Sequence, residues 1–310
     1  MKKETDIGTT EYFKKHISGI TNISKLAGDA STRDYFRISR GDNTFIAMVY
    51  PENVPEEIDR IRNLTEIYRE AGLKVPGIID QFGENVLLQE DIGDVSLQEY
   101  LKGIATTEVM LIKNKIRSIL EQLKRISPSN TDSLMDLKKM MFEIDFFIDH
   151  FVLRFFPEWE NLSVLREDIE MKLSRIHEKR VFAHRDFHSR NIFVYREDLY
   201  LIDFQDSLRA PEYYDMVSFV FDSYLGKKTS VLFRSLLEER PGTELDQIYL
   251  TSYQRNVKAL GTFGYQDSIG NRKFFDYILP AIENIRINPH FTADSPLGTL
   301  FSCFKKKYMA

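Results

Sequence analysis

Cysteine is almost absent. Cys303 stands alone in 310 residues, so no intrachain disulfide can form, and no Cys/His cluster has metal-ligand spacing; both fit a reducing compartment. Basic excess is also missing: 42 Lys and Arg face 47 Asp and Glu, a net charge of −5, which implies neither a nucleic-acid surface nor an acidic-membrane surface. A nucleotide would have to be held by local groups rather than by a global field. Nor is there a long uninterrupted apolar run. The densest such stretch, Met140 to Phe156, carries Glu143, Asp145, Asp149, His150 and Arg154, which excludes an ordinary membrane span. The first ten residues lack the apolar core of a signal peptide, and no repeat or low-complexity segment occurs. The expected setting is the cytoplasm. What is present is ordinary globular composition, 43% apolar and 29% charged, in a chain long enough for one large or two moderate domains.

The chemistry concentrates between Val181 and Asp206. Two short β-branched or aromatic runs, Ile192 to Tyr195 and Leu199 to Ile202, flank a polar turn and predict a hairpin. His184, Arg185, Asp186 and Asn191 precede its first strand and Asp203 follows its second, so the hairpin is expected to bring Asp186, Asn191 and Asp203 to one end. Phosphoryl transfer uses such a set: one carboxylate takes the proton of an attacking hydroxyl, while an amide oxygen and a second carboxylate hold Mg²⁺ against phosphates. A polar hairpin turn on a globular surface is the simple alternative.

Upstream, a short helix is expected over residues 9 to 20, with Phe13 and Ile17 on one face. Strands follow on either side of the small-residue turn Gly28-Asp29-Ala30-Ser31-Thr32 and of the turn Gly41-Asp42-Asn43. Pro55 opens a helix to about Ala71, closed by Gly72. Two further strands, Ile78 to Phe82 and Asn85 to Gln89, lead to the acidic break Glu90-Asp91-Ile92-Gly93-Asp94, after which Ser96 caps a short helix. From Thr106 the apolar spacing is helical in segments 106 to 126, 133 to 155, 161 to 178, 212 to 225, 229 to 237, 244 to 260 and 272 to 287. Phe142, Phe146, Phe147, Phe151, Phe155 and Phe156 mark a core helix, and residues 288 to 310 are expected to form a solvated tail.

The order His184-Arg185-Asp186, four residues, Asn191, then Ile202-Asp203-Phe204 resembles the catalytic and metal loops of the protein-kinase-like fold. With the β-rich start and helical remainder, the chain resembles the aminoglycoside phosphotransferase and choline kinase-like small-molecule kinases. More narrowly, Ala27 to Arg37, His184 to Asn191, Leu201 to Asp206, Tyr214-Asp215-Met216-Val217-Ser218 and Gln254 to Phe263 resemble the bacterial anomeric kinases of cell-wall amino sugars. Those enzymes phosphorylate the C1 hydroxyl of N-acetylmuramate and N-acetylglucosamine in peptidoglycan recycling. The resemblance implies an α+β, protein kinase-like bilobal fold, with residues 1–92 a small antiparallel, nucleotide-binding β-lobe with one helix and residues 93–310 a helical lobe carrying the loops. It implies ATP and Mg²⁺ as cofactors and a small sugar as substrate, with neither nucleic acid nor membrane as partner. It implies Asp186 as catalytic base and Asn191 and Asp203 as metal ligands. Glu90 to Ile92 become the adenine-facing hinge, Ser31, Thr32 and Arg33 the residues over the phosphates, and Asp215 a brace for the catalytic loop.

The sequence departs from that pattern at Met48, where kinases generally place a phosphate-binding lysine. Arg33 or Arg37 is the expected replacement, with Arg37 preferred; a surface ion pair is the other reading for either. His188 and Arg190 stand between substrate contact and loop support, and Asp206 between a sugar hydroxyl and a cap. Ala210-Pro211-Glu212 follows Asp203 too closely to close an activation segment, which favours a small acceptor. An aminoglycoside, choline, homoserine or a nucleoside remain alternative acceptors on the same fold. A cationic one would be met by acidic residues such as Glu143, Asp145 and Asp149, and a carboxylated sugar by Arg190, Arg209 or Arg255. A non-catalytic nucleotide-binding module is the reading outside enzymes.

Overall fold

A computed structural model describes residues 11–26, 33–225, 227–238 and 240–308. The chain divides into two compact units, one formed by Met1–Asp94 with Val194–Gln205 and the other by Val95–Phe193 with Asp206–Ala310.

The first unit is built on an antiparallel sheet in the order β1-β2-β3-β5-β4, comprising β1 (Asn22–Leu26), β2 (Asp34–Arg40), β3 (Asn43–Val49), β4 (Ile78–Phe82) and β5 (Val86–Glu90). The period of two along these strands sends alternate side chains to opposite faces. Phe36, Ile38, Ala47, Val86 and Leu88 cover one face with Phe13 and Ile17 of the N-terminal segment, where residues 11–16 are helical. Met48 and Leu87 on the other face pack with Tyr50 against Ile58 and Ile61 of the helix Pro55–Glu70. That helix starts with Pro in its first turn, where an amide hydrogen is dispensable, followed by Glu56 and Glu57 at the positive end of its dipole. It stops at Gly72, whose φ of 80° suits glycine and lets Leu73 N–H donate to Tyr68 O at 3.0 Å.

The predicted hairpin is β7 (Ile192–Tyr195) and β8 (Asp198–Leu201). Its turn residues Arg196 and Glu197 have φ of 49° and 69°, the left-handed pair that matches strand twist. In the first unit, Leu201 N–H donates to Lys74 O at 2.8 Å and Phe204 packs against Tyr68, ring centroids 4.9 Å apart.

The second unit is mostly helical, but a ribbon of β6 (Arg180–Ala183) and β9 (Leu208–Pro211) brackets the motif-bearing stretch, where only the hairpin was expected. Four-residue strands carry too little periodicity to separate from loops. The helix Thr106–Arg125 follows its predicted span. The helix Leu137–Phe147 is capped by Asp136, whose Oδ1 accepts from Lys139 N–H at 2.7 Å. Asp136→Ala is expected to lower stability by about 1 kcal/mol, read from the urea midpoint; no loss would mean the cap is idle.

This helix continues as a π turn, Ile148–Val152. Phe147, Phe151 and Phe155 are buried as anticipated, whereas Phe142 is 63% exposed. The facing helix runs Gly242–Ser268, beyond the expected end near residue 260, because Gly261 and Gly264 are contact points rather than stops. A Cβ on Gly261 would lie 2.8 Å from Phe147 Cα. The expected solvated tail is also corrected. Pro296–Tyr308 is a helix that sends Leu297, Leu300, Phe301 and Phe304 into the core, an i, i+3, i+4, i+7 stripe masked in sequence by turn residues before it and lysines at its end. Among the described residues no helix is long and apolar enough to cross a membrane.

Candidate active site

The second unit holds the loop from His184 to Asn191 between β6 and β7. Arg185 adopts φ of 78°, a region an L side chain enters only when its surroundings impose it. The imposing group is Asp215 at the start of the helix Tyr214–Val220, whose oxygens accept from His184 N–H at 2.7 Å and Arg185 N–H at 3.0 Å. Asp222, seven residues on and just past the end of that helix, does the same, accepting from Ser189 N–H and Tyr224 N–H at 2.8 Å each. Gln98 N–H donates to Ser189 O at 3.0 Å. Within the loop, Asn191 Nδ2 donates to Asp186 O at 3.1 Å, which orients the amide.

Burial pushes Asp215 up to about 7, its two backbone hydrogen bonds and Arg255 only partly offsetting the desolvation. Unfolded, such a carboxyl titrates near 3.8. Between those values the folded chain holds a proton that the unfolded chain has lost, so rising pH withdraws stability until about 7 and nothing further above it. Relative to Asp215→Asn, wild type is therefore expected to weaken between about pH 4 and 7 in urea titrations. A difference flat across that window would show Asp215 charged throughout.

Asp186, 26% exposed at its side chain, directs Oδ1 toward Lys258 Nζ at 3.2 Å and Arg255 Nη2 at 3.7 Å. Burial raises this carboxyl, but Lys258, Arg255 and Arg185 outweigh burial and hold it well below the usual carboxylate range. Burial brings the neighbouring His188 down to about 3, so its imidazole is neutral at physiological pH. Glu143, 5% exposed, accepts from Arg185 Nη2 at 3.3 Å and Gln254 Nε2 at 2.8 Å, with Lys258 Nζ at 4.0 Å. Arg255 Nε donates to Ser218 Oγ at 3.1 Å.

Sequence reading passed over Lys258, and it offered Glu143 and Arg255 only as acceptor contacts. The available signal was the spacing of Gln254, Arg255 and Lys258 on one long helix, polar residues placed where a core face was due. Of the other acceptor candidates, Asp145 pairs with Arg166 at 2.7 Å and Arg209 donates to Asp132 O at 3.2 Å. Arg190 lies over the rings of Tyr224 and Phe274, 4.8 and 5.1 Å from their centroids. Asp206 pairs with Arg185 at 3.6 Å.

In the first unit, Asp203 has φ of 63° and its Oδ1 accepts from Gln205 Nε2 at 2.8 Å, with Arg33 Nη2 at 3.5 Å. Arg33 Nη1 lies 3.7 Å from Met48 Sδ, and its guanidinium sits 5.7 Å from the Tyr50 ring centroid. Arg33 thus brings its charge to Met48, where the lysine was missed. Arg37, the preferred candidate for the phosphate cation, directs its guanidinium to Asp91, at 2.6 and 3.0 Å, and to Asp94, at 2.8 and 2.7 Å. Burial raises Asp91, but the Arg37 bonds and the Gly93 N–H bring it below its ordinary value. Glu90 exchanges hydrogen bonds with Gly77 through both backbone and side chain, at 2.9 and 2.8 Å, and Ile92 is buried. Ser31 and Thr32 lie outside the described residues.

Residues 22–255 match the model of the phosphotransferase enzyme family. The chain belongs to that family. Among curated proteins it is similar to an N-acetylmuramate/N-acetylglucosamine kinase of Pseudomonas aeruginosa, 26% identical over 204 residues, covering 64% of this chain and 59% of that protein. A Neisseria meningitidis protein of the same name is 24% identical over 228 residues, covering 66% of this chain and 62% of its own. The chain thus spans about six tenths of the length of those relatives. Among solved structures, a thermostable mutant of aminoglycoside phosphotransferase APH(4)-Ia with ADP and hygromycin B superimposes with a TM-score of 0.67 at 13% identity, covering 91% of this chain and 99% of that one. Choline kinase LicA of Streptococcus pneumoniae gives 0.61 at 15% identity, covering 91% and 99%. The fold of this family member is protein kinase-like, an antiparallel five-stranded sheet in its N-terminal part and mostly helices beyond.

Proposed function

We propose that the protein is an ATP-dependent kinase of a small sugar, transferring the γ-phosphoryl group to the anomeric hydroxyl of an N-acetylated hexosamine in the cytoplasm. The observation that carries this is the Asp186 loop, braced by Asp215 and Asp222 and facing Lys258 and Arg255, in a chain similar to two proteins named as amino-sugar kinases. Residues 1–92 serve the nucleotide and residues 93–310 the acceptor.

Asp186 orients the attacking hydroxyl and accepts its proton. An anomeric hydroxyl is more acidic than an ordinary alcohol, and phosphoryl transfer depends more on positioning than on basicity, so a carboxylate held well below its usual range can serve. Asn191 and Asp203 offer an amide oxygen and a carboxylate, hard oxygen donors that suit Mg²⁺ when phosphates complete its shell. The ion, when bound, offsets charge on the β and γ phosphate oxygens. Arg33 supplies the cation that Met48 cannot, Ser31 and Thr32 offer hydroxyls to the phosphates, and the backbone of Glu90 to Ile92 meets adenine while Arg37 ties Asp91 and Asp94 together.

Incubation with ATP, magnesium and a panel of amino sugars, aminoglycosides and choline, followed by phosphorus NMR of the product, tests the proposal. A C1 phosphate on N-acetylmuramate or N-acetylglucosamine is expected. Phosphate on another hydroxyl would overturn the anomeric position, phosphate on another acceptor would overturn the sugar, both keeping the kinase, and no acceptor-dependent turnover of ATP would overturn the whole reading.

A further inference from the structure

We propose that Lys258 is a positioning residue for Asp186, fixing which carboxylate oxygen meets the acceptor hydroxyl; this rests on the reading of Asp186 as proton acceptor. Lys258 Nζ and Arg255 Nη2 both approach Oδ1, at 3.2 and 3.7 Å, whereas Oδ2 accepts from no donor among the described residues. A hydrogen bond from Lys258 to Oδ1, with the Arg255 charge beside the same oxygen, opposes rotation of the carboxylate and leaves Oδ2 as the oxygen for the hydroxyl.

Lys258 is itself held. Its side chain is 13% exposed, and a buried ammonium needs a partner to offset lost hydration. Glu143 is already engaged by Arg185 and Gln254, at 3.3 and 2.8 Å, and stands 4.0 Å from Lys258. Asp186 is therefore the partner that accounts for the lysine. Four residues before it on the same helix, Gln254 fixes the height of the helix against Glu143.

In the transfer step the acceptor oxygen bonds to the γ-phosphorus as the bond to the departing ADP oxygen breaks, and the hydroxyl proton passes to Oδ2. Lys258 keeps its own protons throughout, so it acts through Asp186 and not on the reacting atoms. Pinning of this kind governs the rate of transfer more than substrate affinity, since displacement of a reacting group by about 1 Å costs on the order of 10²-fold.

The test is a double-mutant cycle with Lys258→Met, Asp186→Asn and their combination, using ATP and N-acetylglucosamine. Lys258→Met is expected to lower kcat by about 10- to 100-fold, with KM for sugar and ATP binding by calorimetry within a few-fold of wild type. Lys258→Arg is expected to recover most of the rate. In the Asp186→Asn background Lys258→Met should cost nothing more. A further loss there would mean Lys258 reaches the reacting atoms, and unchanged kcat in the single variant would mean it positions nothing; either overturns the proposal while sparing the role of Asp186. Full turnover by Asp186→Asn would overturn both. Should Lys258→Met not fold, Lys258→Gln, which keeps a polar group beside Glu143, is held to the same outcomes.

Discussion

Asp186→Asn is expected to cut acceptor-dependent turnover by about 10²-fold or more, the usual worth of a general base, while nucleotide binding persists. The substitution keeps shape and removes the proton-accepting charge, so the loss falls on kcat. A rate within a few-fold of wild type would end the assignment of Asp186. The same variant has a stability signature of opposite sign to that of Asp215. Lys258, Arg255 and Arg185 hold the Asp186 carboxyl below its ordinary value despite its burial, so its contribution is present above its unfolded value near 3.8 and is lost as the pH falls. Asp186→Asn should therefore be less stable than wild type at neutral pH, with the gap narrowing as acid is added.

Gly264→Ala is expected to destabilise the fold by about 3 kcal/mol or more, at or beyond the upper end of the usual range for overpacking. Replacing glycine inside a helix ordinarily gains about 1 kcal/mol from propensity, and here that gain is overwhelmed. The added Cβ would fall 2.1 Å from His150 O and 2.9 Å from Phe151 Cα, backbone atoms of the π turn that have no rotamer by which to retreat. Gly242, on the same helix, has nothing within 4 Å of its Cβ direction, so Gly242→Ala should be neutral or slightly stabilising. Urea midpoints of the two variants make the comparison, and equal effects would mean that the helices slide apart at little cost.

Contacts close in sequence were the legible ones. Pro55 and Gly72 bound their helix because proline and glycine act through their own backbone angles. The strands around the Gly41 turn and the hairpin with its motif residues are likewise local, a handful of residues fixed by turn geometry. Contacts across the chain were not legible. Lys258 meets Asp186 from 72 positions away, and Glu143 meets Gln254 across 111. Spacing marks Gln254, Arg255 and Lys258 as polar residues on one face of a helix, but nothing near them in sequence names their partners. Likewise only the fold brings Asp91 and Asp94 to Arg37.

From the order of residues alone came the candidates for the chemistry, Asp186, Asn191 and Asp203, and the hairpin that lies between Asn191 and Asp203, since spacing and turn propensity act over a few bonds. Tertiary structure alone decided what holds those groups and sets their charge. The electrostatics of a carboxylate depend on which cations stand within a few ångströms of it, and that is a property of packed helices, not of neighbours along the chain.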